Sequence, residues 1–498
     1  MNRLIFALVA VGLLVSSPVS AQKPSASSKS GKAIEQRIKQ ALAAPALQRA
    51  TVGLLVRSLD RGGRTLFAVN PDQALMPASN MKVLTASTAL AELGSEFVFR
   101  TRVAKLSNDE LVLVGSGDPS LDESRLQDLA KAVKEAGISR VTRIVADASH
   151  FDDQTLGEGW QWDDESFGFS AQVSGLNLNE NVTRITITPG AQDGETATVA
   201  SDGYVNIVGE VKTTERGEGG ARAERRRGRN EVVVSGRVKA GAGPVTLSVT
   251  VEDPALYSAF RFSRALRDAG VRVDDDATVV VGTAPANAQT LAETASAPLS
   301  ELCKRFLKTS DNLYGECLLK ALGAEKRSVP GTSANGAAVV RGWLASKKVD
   351  TGGLNQADGS GLSRLDEVTP RLMVETLTVA STLPGFAVSL PIGGFDGTLS
   401  RRFQKTAAEG NVRAKTGTIL GVSSLSGYVT TKAGEKLVFS ILMNHFDRAS
   451  GAAVARQVQD SIVLALMDTP RAAVTLAPDP PKKKKPAAPA KKKPRKRH

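Results

Sequence analysis

Three short polar groups stand out in a chain of 498 residues: Ser79 with Lys82, Ser310 with Asn312, and Lys415 with Thr416, Gly417 and Thr418. Ser79 and Lys82 are three residues apart, which on a helix puts both side chains on one face. A serine hydroxyl attacks a carbonyl when a base removes its proton, and a lysine serves as that base only while neutral. Burial or a neighbouring cation favours the neutral form, and Lys415 is a candidate for that cation. Pro77 marks a helix start just before Ser79. There the backbone N–H groups lack intrahelical acceptors and the helix dipole is positive, so an attacked carbonyl oxygen would be stabilised. Alone, a Ser-x-x-Lys spacing is weak, since roughly one or two copies arise by chance in a chain of this length. Ser20 and Lys23 form a second copy.

The other two groups supply what the first lacks. In Thr309-Ser310-Asp311-Asn312-Leu313, alternation puts Ser310 and Asn312 on one side of a connection and turns Asp311 away. A hydroxyl there suits proton relay to a leaving group, and an amide suits orientation of a lysine and a substrate. The bland reading is a helix N-cap cluster. Lys415-Thr416-Gly417-Thr418 falls on a predicted central or edge strand between Val412 and Ile419. Gly417 would let another backbone approach closely, here an extended substrate lying along the strand. Lys415 and the hydroxyls of Thr416 and Thr418 would then hold a terminal carboxylate. A Ser-His-Asp triad is excluded: His150, His445 and His498 are the only histidines, and no Gly-x-Ser-x-Gly surrounds a strand-to-helix serine. The two cysteines and three histidines lack paired zinc-ligand spacing. No metal and no cofactor is therefore expected.

The elements that must position these groups are legible from periodicity. A helical pattern at Ala33–Ala43 precedes strands at Thr51–Ser58 and Thr65–Asn70, and a helix runs from Pro77 to Leu93 with Gly94 as its stop. From Val98 to about Thr290 short strands and turns dominate, with strands expected at Leu111–Val114, Arg140–Ala146, Arg184–Thr188, Tyr204–Val211, Glu231–Val238 and Pro244–Val251. The Gly/Arg-rich stretch Glu215–Arg229 reads as a mobile surface excursion. Helices return at Pro254–Ala269, at Pro298–Leu322 around the second motif, and at Val374–Thr382. Strands at Asn411–Ile419, Ser424–Thr431 and Lys436–Asn444 and a helix at Gly451–Met467 complete the body. The pattern is one α/β domain split by a long strand-rich insertion between the first and second motifs.

Length gives a prior of about three domains, and 41% hydrophobic residues suffice for sizeable cores. Arg3, the apolar run Leu4–Val15 and Val19-Ser20-Ala21 read as a secretory signal, residues 1–21, cut after Ala21. The run is too short to span a bilayer comfortably, and no later segment is longer, so a soluble extracytoplasmic protein without a transmembrane segment is expected. Gln22–Lys32 reads as a linker. Cys303 and Cys317 flank Ser310; a disulfide is possible outside the cytoplasm, but both sit in apolar helical patterns, which favours two buried thiols. Of the +13 formal charge, ten Lys and Arg against one Asp lie in residues 476–498. Nine of those charges thus belong to a Pro/Ala/Lys tail that is disordered by composition. Nucleic acid is a poor partner for a body so nearly neutral, whereas the tail suits salt-sensitive contact with an anionic wall polymer or lipid.

Taken together and in this order, the motifs resemble those of the class C low-molecular-mass penicillin-binding proteins, the D-Ala-D-Ala carboxypeptidase/endopeptidase family. The likeness spans about Ala33 to Met467. It extends to Pro77-Ala78-Ser79-Asn80, Gly115-Ser116-Gly117-Asp118-Pro119-Ser120, Asp358-Gly359-Ser360-Gly361-Leu362-Ser363-Arg364, Leu390-Pro391-Ile392-Gly393-Gly394 and Asp396-Gly397-Thr398-Leu399. The resemblance implies an α/β penicillin-binding (DD-peptidase/β-lactamase-like) transpeptidase domain with a central antiparallel sheet flanked by helices. That domain would comprise residues 33–97 and 292–468, carrying two nested strand-rich inserts, 98–180 with 253–291 and, within it, 181–252. It also implies cleavage of D-Ala-D-Ala stem peptides of peptidoglycan, or of their cross-links, through an acyl-enzyme on Ser79, with β-lactams as covalent inhibitors. Lys82 and Ser310 match the other catalytic positions; Asn312, Lys415, Thr416, Gly417 and Thr418 match substrate-binding ones. Trp160–Phe169 is less aromatic than family members often are, which bears on the preference for the peptide's third residue. Two rivals are a β-lactamase-like hydrolase, for which no Glu-x-x-Leu-Asn occurs in Lys326–Val412, and a non-catalytic wall-binding protein, against which Ser79 and Lys82 argue.

Overall fold

The computed structural model describes residues 26–217, 219–447 and 451–471. The signal segment 1–21 and the basic tail 476–498 lie outside the described residues. The first helix spans Ala26–Leu42, so much of the stretch read as linker is helical instead. Five antiparallel strands form the main sheet in the order Arg413–Ile419, Val422–Thr430, Lys436–Asn444, Thr51–Ser58, Thr65–Val69. The strand carrying the third motif is thus an edge. Period-two alternation gives the sheet two apolar faces. Leu54, Val56, Phe439 and Ile441 face the terminal helices Ala26–Leu42 and Gly451–Met467, meeting Ile38 and Ile462. Leu55, Val438 and Leu442 face the core that holds the helices Met81–Glu92, Asn312–Lys326 and Pro370–Ala380.

Both helical motifs differ from simple helix starts. Ala78–Asn80 is one 3₁₀ turn, entered through Ala78 in the left-handed region (φ 46°), and the α-helix begins at Met81. Its residues Met81–Leu90 are all buried, so this helix runs through the interior rather than along a surface. The Pro298–Leu322 stretch is two helices hinged at the motif. Leu299–Arg305 runs into a π-turn, Phe306–Ser310; Ser310 is left-handed (φ 65°), and Asp311 caps Asn312–Lys326 by accepting from the Tyr314 amide. Cys303 and Cys317 are buried free thiols; burial alone pushes Cys303 up to about 12.

The intervening chain builds a second, mixed five-stranded sheet in the order Arg272–Val281, Arg140–Asp147, Glu110–Gly115, Arg100–Lys105, Gln289–Ala295. Helices Glu123–Glu135 and Pro254–Asp268 share its apolar core. Between Val182 and Thr250 small sheets enclose a separate cluster that includes Ile185, Val232 and Val249. Two expected strands there are broken. Tyr204–Val211 is replaced by Asn206–Gly209 and Lys212–Thr214, and Glu231–Val238 by Glu231–Ser235 and Arg237–Lys239. The breaks come at Gly209 (φ 87°) and Gly236 (φ 98°), conformations that side chains resist. The Glu215–Arg229 stretch is no mere excursion. Arg222–Arg225 pairs with Glu231–Ser235, and Arg225 turns inward to Thr250 Oγ1 (3.2 Å) and Glu252 (2.5 Å).

Candidate active site

Ser79, Lys82, Ser310, Asn312, Lys415, Thr416, Gly417 and Thr418 come from three distant stretches, and the fold brings them together. The Lys82 ammonium is the hub. It donates to Ser79 Oγ (2.9 Å), Asn312 Oδ1 (2.6 Å) and the Ser360 carbonyl (2.6 Å). Ser310 Oγ accepts from Lys415 Nζ at 2.8 Å, and Lys415 also donates to the Thr416 carbonyl (2.9 Å). The two lysines therefore divide the motif between them, Asn312 to Lys82 and Ser310 to Lys415. Asn312 is anchored in turn by donating to the Phe169 carbonyl (2.7 Å). Thr416 Oγ1 donates to Thr398 Oγ1 (2.7 Å).

The edge strand is pressed against the turn that bears Ser79. Asn80 Nδ2 donates to the Lys415 carbonyl (3.0 Å) and Ser424 Oγ to the Pro77 carbonyl (2.6 Å). A Cβ on Gly417 would lie 2.7 Å from the Pro77 carbonyl oxygen and 2.9 Å from the Ser79 nitrogen. The chain's own Pro77–Ser79 turn thus needs this glycine, whatever backbone lies along the strand. From the other side Gly361 (φ 82°) stands over Ala78, where a Cβ would come within 3.0 Å of the Ser79 nitrogen. Ser79 is held between two glycines.

Both lysines are fully buried. Burial lowers Lys82 to about 8, against the opposing pull of Asp358, Glu316, Asp311 and Asp366. Lys415 is held well below its usual range by burial and then by Lys82. The cation expected to neutralise Lys82 is therefore itself depressed, and burial is the main cause. At about 8, an appreciable fraction of Lys82 is neutral near neutral pH, the condition for a base.

Two lobes of a cleft meet at Ser79 and Ser310. One, of about 280 Å³, is polar and basic, with Thr398, Thr416, Arg402 and Arg456 in its wall. The other, of about 460 Å³, is walled by Asp163, Asp164, Phe169, Leu362, Arg364 and Leu420. Asp164 is raised by burial and by Asp163, with Arg364 opposing. Among the described residues no group of His, Cys, Asp and Glu could hold a metal.

Sequence reasoning missed three parts of this site. Ser360 contributes a backbone carbonyl, Phe169 another, and Thr398 a hydroxyl from a remote turn. All three lie in segments that the family resemblance singled out without giving them a role, and in the first of these, Asp358–Arg364, Gly-Ser-Gly forms a tight turn. Asp358 explains it: that carboxylate accepts from the amides of Ser360 (3.1 Å), Gly361 (2.6 Å) and Ser363 (2.7 Å) and from Trp160 Nε1 (2.9 Å).

The sequence profile described as the D-Ala-D-Ala carboxypeptidase 3 (S13) family matches residues 34–468. The chain belongs to that family. A D-alanyl-D-alanine carboxypeptidase of Actinomadura sp. (strain R39) is 37% identical over 493 residues, covering 93% of this chain and 90% of the relative. D-alanyl-D-alanine carboxypeptidase DacB of Haemophilus influenzae is 28% identical over 412 residues, covering 79% and 85%. Among solved structures, penicillin binding protein 4 (dacB) from Haemophilus influenzae superposes with a TM-score of 0.75 at 27% identity, covering 87% of this chain and 99% of that one. The same protein complexed with a β-lactam gives 0.70 at 25% identity. This S13 peptidase thus has the α/β penicillin-binding fold and is a serine peptidase, a D-Ala-D-Ala carboxypeptidase.

Proposed function

We propose that Ser79 is the nucleophile of an acyl-enzyme pathway on peptidoglycan stem peptides, and that β-lactams trap it. The observation that carries this reading is the bond from buried Lys82 to Ser79 Oγ. Lys82, when neutral, takes the proton as Ser79 Oγ attacks the carbonyl of the penultimate D-Ala. The oxyanion forms between the helix N-terminus at Ser79 and the outward amides of the edge strand. Ser310, bonded to Lys415, passes a proton to the departing amine while Asn312 keeps Lys82 in place. Lys415, Thr416 and Thr418 receive the carboxylate of the leaving D-Ala. Water then hydrolyses the acyl-enzyme. The polar lobe is roomier than one alanine requires, which supports cleavage of cross-links as well, a DD-endopeptidase activity.

The wider reading follows the same lines. The chain works outside the cytoplasm as a periplasmic or secreted enzyme, its catalytic unit comprising 33–97 and 292–468, with 98–180, 253–291 and 181–252 as inserts. The apolar clusters within the two insert segments support that division, while Phe151 and Val173 of 98–180 pack into the catalytic core. Fluorescent penicillin labelling tests the nucleophile. Ser79→Ala is expected to abolish labelling and D-Ala release with little change in Tm; persistent labelling at Ser310 would overturn the assignment.

A further inference from the structure

Beneath Lys82 lie three buried carboxyl groups that the proposed pathway does not use, those of Glu316, Asp358 and Asp366. Asp358 is saturated by the turn donors described above. Glu316 is different. It stands one helical turn beyond Asn312, so helical spacing aims both at the site. Its Oε2 accepts from the Gly359 amide (3.0 Å), while its Oε1 is buried and has no hydrogen-bond partner. The residue after Gly359, Ser360, lends its carbonyl to Lys82. One backbone turn therefore touches Glu316 on one side and the lysine on the other. Thr85, on the nucleophile helix, fixes the same turn by donating to the Gly359 carbonyl (2.8 Å).

Three carboxylates and one ammonium cannot all be charged in a dry pocket without a large cost. Asp366 accepts from the amides of Ala357 (2.7 Å) and Asp358 (3.3 Å), and its other oxygen has no hydrogen-bond partner. Burial and then Asp358 push both Glu316 and Asp366 upward, Glu316 to about 8. The burial that raises Glu316 also lowers Lys82, so it favours the neutral form of both. The other titratable groups acting on the pair are Asp311 at the cap of the Glu316 helix, Cys317 on that helix and Lys415 on the edge strand.

We propose that Glu316, docked on the Gly359–Ser360 turn, is a positioning residue that sets the pH at which Lys82 becomes a base. An ionised Glu316 holds the proton on Lys82; a neutral Glu316 releases it. A proton leaving the pair can come from either group, so the carboxyl competes with the lysine and delays the appearance of the neutral amine as pH rises. This rests on Lys82 acting as the base for Ser79.

The test is the pH profile of acylation by benzylpenicillin, read as the position of its acid limb. Glu316→Gln keeps an oxygen acceptor for Gly359 but never ionises. Its acid limb is expected to move lower by about one pH unit, the scale of a nearby charge removed from a buried site. A purely structural Glu316 would lower Tm and the rate at every pH and leave the limb in place, which overturns the proposal. Lys82→Ala separates the two readings. If it still acylates within a few-fold of wild type, the base assignment fails; if it is inactive while the Glu316→Gln limb stays put, only the positioning role fails. Should Glu316→Gln not fold, the wild-type protein carrying ¹³C-carboxyl glutamate gives a second readout. An isotope-shifted acid C=O band is expected to persist at neutral pH and fade along the acylation limb. A band that persists unchanged through and above that limb, from a carboxyl that stays neutral while Lys82 loses its proton, overturns the proposal.

Discussion

Gly417→Ala is the sharpest probe of how the site is assembled. The position has no need of left-handed backbone, so the whole effect is steric. The new methyl would meet the Pro77 carbonyl oxygen at 2.7 Å and the Ser79 nitrogen at 2.9 Å, besides Ser424 Oγ. Unstrained contacts lie near 3.5 Å, so the edge strand and the Ser79 turn must part by about 0.5–0.8 Å. Two of the three obstacles are backbone, which cannot swing away as a side chain does. Overpacking of this kind costs about 1–3 kcal/mol. A 1 Å misplacement of reacting groups costs about 10²-fold in rate, so acylation is expected to fall by roughly 10- to 100-fold for every acylating reagent, large or small. Stopped-flow acylation by penicillin, D-Ala release from a stem-peptide analogue, and urea unfolding measure the three quantities. Ser424→Ala in the same chain is not expected to restore the rate, because it leaves both backbone contacts. If instead penicillin acylation and stability were unchanged and only the peptide KM rose, the glycine would serve the substrate and the steric argument would be wrong.

Three further outcomes are expected. Lys82→Ala reduces acylation by about 10²–10⁴, the usual share of a positioned base, while in the wild type the rate climbs with pH through about 8 as the depressed lysine loses its proton; a flat profile across that range contradicts the role. Arg225→Ala strands Glu252 and opens the small sheets of the insert. A loss of up to about 3 kcal/mol, discounted because Glu252 is partly solvated, is expected as faster hydrogen exchange in residues 182–250, with penicillin acylation within a few-fold of wild type. Truncation after Ala477 is expected to weaken salt-sensitive sedimentation with sacculi or anionic vesicles, since exposed charges act over about 10 Å at 0.1 M salt; peptide hydrolysis stays as it was, and unchanged sedimentation refutes the tether.

What the sequence disclosed depended on whether the chemistry sat in side chains. Ser79, Lys82, Ser310, Asn312 and the Lys415–Thr418 strand were legible because residue type and local context carry the signal together. Ser360 was not, because it acts through a carbonyl that any residue possesses. Glu316 was hidden inside a helix read as ordinary core, where one acidic residue among apolar ones looks like a solvated position until its burial is seen. Strands were found where alternation was clear and missed where pairing overrides propensity. Arg272–Val281 contains Asp274, Asp275 and Asp276 yet lies parallel to Arg140–Asp147, with Arg140 and Arg272 bridging to Asp274. Helix Glu123–Glu135 escaped for a plainer reason: the strand-rich segments on either side set the expectation. The breaks at Gly209 and Gly236 show the converse, since a β-branched run says nothing about where the chain must turn.

The pairing of Thr51–Ser58 with Lys436–Asn444 has a consequence for timing. The ribosome makes Ser79 early, but the strand beside which Thr51–Ser58 must lie, and the edge strand that backs Ser79, are made near the end. The inserts lie between and have cores of their own to collapse around in the meantime. Ser79 thus cannot acquire its setting until Asn444 has been added, and a sheet closed by its most distant strands forms slowly. Assembly around Ser79 is therefore a late step for the growing chain, and a chain released before its final strands would lack the backing of Ser79 while the intervening segments with their own apolar clusters are already made.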